Sequence, residues 1–124
     1  MSSLLAADTF RADASTISVV GFAHGTSHFF HLMIPPLFPF FMNEFGLGYA
    51  SVGTLMTIFF VVSGVGQAMA GIWVDRFGSF RVLLAGIALL ALSGVLVAVA
   101  PNFAGVMLAA FVAGLGNSVF HPAD

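Results

Sequence analysis

Residues 71–81, GIWVDRFGSFR, hold two of the three basic side chains of the chain, Arg76 and Arg81, inside a sequence that is otherwise almost wholly apolar. Two long apolar runs precede this stretch and two follow it, so the side of a membrane that it faces sets the direction of all four. The membrane itself follows from composition. Of the 124 residues 60% are hydrophobic and 6% charged, which leaves too little polar surface to cover a core in water. The charges, at Asp8, Arg11, Asp13, Glu44, Asp75, Arg76, Arg81 and Asp124, lie outside the apolar runs or at their ends. A net charge of −2 offers no basic surface for nucleic acid, so no nucleic-acid partner is expected. The absence of Cys excludes disulfides and thiolate chemistry.

Working outward, the pattern is that of an all-α membrane protein with four transmembrane helices and the lipid bilayer as its main partner. Residues 1–15 read as a polar, flexible cytoplasmic tail. They do not read as the leader of a secretory signal, because Asp8 and Asp13 accompany Arg11 and the following apolar run is too long. The spans are expected at about 16–42, 51–74, 80–100 and 104–124, each long enough to cross about 30 Å of hydrocarbon at 1.5 Å per residue. Pro35, Pro36 and Pro39 should kink the first span, and Pro122 the last. Arg11, Arg76 and Arg81 fall on one side of this arrangement and no basic residue on the other, which places the tail and the 71–81 loop in the cytoplasm. Small residues spaced by four, such as Gly64 with Ala68, Gly66 with Ala70, Gly94 with Ala98 and Gly105 with Ala109, mark close helix contacts.

Chemistry is concentrated on the first and last spans. His24, His28 and His31 share a narrow stripe at 100° per residue, and imidazoles are costly against lipid, so the stripe faces protein or water. Asn117 and His121 share a face of the fourth span, and the two sets should meet at one cavity. No carboxylate lies in a span to complete a Ser-His triad, so no enzyme activity is expected. His24 and His28 at helical spacing are a weak metal signal, and neither metal nor cofactor is assigned. Three other readings remain: a membrane electron carrier with haem held between His residues, a four-span exporter that works as a dimer, and a scaffold with structural His only.

The loop carries the pattern G-x-x-x-D-R-x-G at Gly71, Asp75, Arg76 and Gly78, with Arg81 following. Between a second and a third span it resembles the signature loop of the major facilitator superfamily. Together with SHFFHLM at 27–33 and GLGNSVFHPAD at 114–124, it is similar to the fosmidomycin-resistance-like branch of that superfamily. The resemblance implies a fold in which this chain is the first part of an N-terminal six-helix half, with the C-terminal half of the same transporter as the missing partner. It implies secondary active, proton-coupled efflux of a small-molecule substrate at a bacterial inner membrane. By the same resemblance Asp75 latches the two halves together, with Arg76 as its charge partner, and the first and fourth helices line the central cavity. His24, His28, His31 and His121 would then be the titratable groups. The chain departs from the pattern at Ser79 and Phe80, which delay the basic residue after Gly78. It departs again at His31-Leu32, where an Asn-Asp pair can stand, and at Ala110, where drug antiporters often carry Arg.

Overall fold

The computed structural model describes the backbone of residues 2–123, with side chains for Phe10 and residues 13–121. The side chains of Arg11, Pro122 and Asp124 lie outside the described residues. The described residues form helices and short turns only: α1 (Ser2–Met33), a 3-10 turn (Pro35–Leu37), α2 (Phe38–Phe45), α3 (Tyr49–Phe77), α4 (Ser79–Val99), α5 (Phe103–Asn117) and α6 (Phe120–Ala123).

α1 begins earlier than the composition of its first residues implies. From Ser2 onward the expected tail is helical and continuous with the first span; no Gly or Pro before Gly21 is present to stop the helix. The interruption comes at the proline cluster. Pro35, Pro36 and Pro39 have no N–H to offer the carbonyls four residues back, so the α-helical ladder fails there. The backbone tightens instead to i→i−3 bonding, with the Leu37 N–H donating to the Ile34 carbonyl at 3.1 Å, before α2 resumes. α2 ends on Gly46 at φ +64°, and the Leu47 N–H reaches back to the Met42 carbonyl at 3.0 Å, a Schellman closure that a left-handed glycine permits.

A single residue, Gly78, separates α3 from α4. At φ +83° and ψ 147° it occupies a region closed to side-chain-bearing residues, and its N–H closes α3 on the Val74 carbonyl at 2.8 Å. α5 is capped by Asn102, whose Oδ1 accepts from the Gly105 N–H at 3.0 Å. The fourth span is not continuous to the end of the chain as expected. α5 stops at Asn117, Ser118 and Val119 form a turn, and α6 follows. Residue 122 is proline and cannot donate to the Ser118 carbonyl four residues back, so the break falls one turn before the proline.

α3 and α4 are long and apolar enough to cross a membrane, and α5 is a shorter apolar helix. Phe22 and Phe29 on α1 are 76% and 61% exposed, roughly 150° around the helix from the histidines, so this face suits lipid. α5 packs between α3 and α4. An added Cβ at Gly114 would lie 2.7 Å from the Phe59 carbonyl oxygen on α3, and one at Gly116 would lie 2.9 Å from the Gly86 carbonyl oxygen on α4. Glycine therefore sets both helix spacings. Among the other small residues Gly66 and Ala70 are buried, and a Cβ at Gly66 would collide with Ser118. Gly64 and Gly71 face open space, Gly94 meets only the Phe30 ring, and Gly105 meets Ala100 of its own turn. Four-residue spacing therefore marked few of the close contacts, which follow register between helices and not repetition along one.

Candidate functional site

The site grows from Asn117 at the last turn of α5. Its side chain is 8% exposed, and both ends of the carboxamide are paired across helices. Ser27 on α1 donates its hydroxyl to Asn117 Oδ1 at 2.5 Å, and Asn117 Nδ2 donates to Ser63 Oγ on α3 at 2.8 Å. Gln67, one turn further along α3, donates from Nε2 to the same Ser63 oxygen at 3.2 Å. One amide thus joins three helices, and the bond directions fix which way it faces. Buried polar groups require such partners, since an unpaired one costs about 1–3 kcal/mol.

Beside this network lies a cavity of about 240 Å³, lined by Ser27, His28, His31, Phe60, Gln67, Asn117 and His121 among others. No carboxylate, Lys or Arg lines it. The histidines form a ladder along α1. His28 and His24 approach Nε2 to Nε2 at 3.0 Å, so one imidazole donates to the other. The His28 and His31 rings stack at 6.4 Å between centroids, and His31 meets Phe60 edge-on at 4.8 Å. α6 brings His121 to the top of this ladder, with its ring 5.4 Å from that of His24. His24 itself lines an adjoining cleft with Thr16, Val20 and Gly21. Of the residues picked out on the first and last spans, the structure gathers His28, His31, Asn117 and His121 at one cavity and sets His24 at its edge. Among the described residues no group of three or more His, Cys, Asp or Glu is arranged to hold a metal ion.

The run GLGNSVFH has one physical account. Gly114 and Gly116 bring α5 against α3 and α4, Asn117 reaches the cavity, and Ser118, Val119 and Phe120 are buried. His121 then emerges at the cavity. Ser27, Ser63 and Gln67 were not singled out as site residues from the sequence, although a Ser-Gln pair four apart in an apolar span was a visible signal.

The loop residues sit apart from this cavity. Asp75, Arg76 and Arg81 are exposed at the α3–α4 junction. Among the described residues Asp75 and Arg76 form no ion pair with each other. The Arg76 guanidinium instead lies 5.6 Å from the Phe77 ring centroid.

Residues 18–123 match the family model of the Major Facilitator Superfamily. The chain is 30% identical over 119 residues to the fosmidomycin resistance protein of Escherichia coli (strain K12), an alignment covering 94% of this chain and 29% of that protein. It is 38% identical over 80 residues to a protein named "Probable 4-methylmuconolactone transporter" from Cupriavidus pinatubonensis, covering 64% of this chain and 19% of that one. Similarity to the uncharacterized MFS-type transporter YfnC of Bacillus subtilis is 27% over 104 residues, 84% of this chain and 25% of that one. The chain thus spans less than a third of the length of these relatives. No solved structure matches it.

Proposed function

The chain belongs to the Major Facilitator Superfamily, and we propose that it forms the first four spans of the N-terminal half of a secondary transporter that exports a small molecule in exchange for protons. The observation that carries this reading is the Asn117 network beside the histidine-lined cavity. Polar groups of α1, α3, α5 and α6, four histidines among them, surround or border one space inside an otherwise apolar bundle, and ionisable side chains at membrane depth mark substrate or proton pathways.

In this reading the cavity is half of the substrate chamber, and the rest of a longer protein supplies the facing half. Ser27, Gln67 and Asn117 hold the substrate by hydrogen bonds, and His24, His28, His31 and His121 take up and release protons, since imidazole is the side chain whose ordinary titration lies between pH 5 and 8. The chain resides in a bacterial inner membrane with its N-terminus in the cytoplasm, as the positions of Arg76 and Arg81 favour. Asp75 and the Gly71 to Arg81 loop act as one side of a gate. The experiment is to replace each of the four histidines by Ala in the full-length transporter and to measure export against external pH. Loss or displacement of the pH dependence in at least one variant is expected; an unchanged profile in all four would refute proton coupling through this cluster.

A further inference from the structure

A second cavity lies at the other face of the bundle, beside the Gly71 to Arg81 loop that the transport reading treats as a gate, and that reading assigns no ligand to it. It holds about 410 Å³ between the loop ends of α3 and α4 and the end of α5, and is lined by Trp73, Phe77, Arg81, Ala85, Leu89 and Leu115 among others. Three observations bear on what fills it.

The lining is apolar except at one end, where Arg81 is the sole charged residue and no acid faces it. Arg81 is exposed and, among the described residues, forms no ion pair. The groove also has a length. Arg81, Ala85 and Leu89 lie on one face of α4, and the eight steps from Arg81 to Leu89 cover about 12 Å along the helix axis. Its floor is made of small side chains: Ala85 is exposed, and Gly86 is so close to Val119 that a Cβ there would clash with it. A cation at one end and an apolar lining that continues along α4 to Leu89 match an amphiphile with an anionic head and a hydrocarbon tail. The membrane supplies such a molecule directly, and basic pockets between spans are sites where anionic headgroups bind.

We propose that this groove holds an acidic phospholipid, with its phosphate on the Arg81 guanidinium and one acyl chain laid along α4 past Ala85 to Leu89. The guanidinium fork suits a phosphate in two-point contact. The phosphate would also fasten the α3–α4 junction to the membrane surface, at the turn made by Gly78.

The chain contains one tryptophan, Trp73, and it lines the groove, so its emission reports occupancy. The chain, purified in detergent micelles, is titrated with phosphatidylglycerol brominated on its acyl chains, and in parallel with phosphatidylcholine carrying the same chains. Half-maximal quenching of Trp73 is expected at about fivefold lower mole fraction of the acidic lipid, the factor that one basic residue near an anionic headgroup supplies. Arg81→Gln removes that preference, and Ala85→Leu, which fills the groove, weakens quenching by both lipids. Arg76→Gln, an equally exposed cation outside the groove, leaves the preference in place. Equal quenching by both lipids in the unaltered chain would overturn the proposal. So would loss of the preference in Arg76→Gln, which would mean general surface charge, or undiminished quenching in Ala85→Leu. Absence of quenching would mean that another segment or a second copy occupies the groove, and would overturn it equally.

Discussion

Replacing Asn117 by Ala removes a side chain whose hydrogen bonds tie α1, α3 and α5 together, and the size of the effect follows from what is lost. Two interhelical hydrogen bonds disappear, to Ser27 and to Ser63. Such bonds between membrane helices contribute about 0.6 kcal/mol on average and at most about 1.7, because the unfolded chain in the bilayer also finds partners. No sealed void is added, since the missing carboxamide opens into the neighbouring cavity, which water can enter. Ser63 retains Gln67 as a partner, whereas the Ser27 hydroxyl loses Asn117. The expected destabilisation is therefore about 1–2 kcal/mol, well below the 2–5 kcal/mol of a core cavity mutation. The assay is reversible unfolding of the chain in mixed detergent micelles, followed by helical circular dichroism. A double-mutant cycle of Asn117→Ala with Ser27→Ala isolates the bond. A coupling of about 0.6 kcal/mol or more between residues 27 and 117 is expected. Additive losses would show that α1 is not held to α5 by this pair and would refute the geometry of the site.

Two further outcomes follow from the glycines. Gly114→Ala places a methyl group against the backbone of Phe59, which cannot rotate away, so the helices must separate at a cost of about 1–3 kcal/mol; Gly64→Ala on α3 meets nothing and should stabilise by about 0.5–1 kcal/mol through helix propensity. The same unfolding assay reads both, and equal effects would contradict the packing. Gly78→Ala forces an alanine to φ +83° and should lose about 1–3 kcal/mol, or shift the ends of α3 and α4, which limited proteolysis at the junction would detect.

The fold was legible where composition and breakers act along the chain. Two runs without Pro became α3 and α4, Gly78 ended one and opened the other, and Asn102 capped α5. The first span was harder, because proline identifies where the α-helical ladder fails but not that the backbone continues through a 3-10 turn into α2. Half of the candidate site was equally visible: His24, His28 and His31 align by helical period alone. Ser27 and Ser63 did not declare themselves, and the reason is physical. A hydroxyl in a helix can satisfy itself on the carbonyl one turn back, as Ser18, Thr26 and Ser93 do. Its presence therefore says nothing about a partner on another helix. Only the register of α5 against α1 and α3, set by Gly114 and its neighbours, reveals that Ser27 and Ser63 bond across to Asn117 instead.

The histidine ladder on α1 also bears on how these helices enter the bilayer during synthesis. α1 leaves the ribosome before α3 and α4, yet among the described residues α3 and α4 are the helices long and apolar enough to cross by themselves. Each imidazole on α1 lowers the free energy gained on leaving the translocon for lipid. By composition the α3–α4 hairpin, with Arg76 and Arg81 at its short junction, is therefore the stronger insertion signal, and the Ser27–Asn117 bond is open to α1 only once α5 has been made. Composition thus ranks these spans in an order different from that of their synthesis.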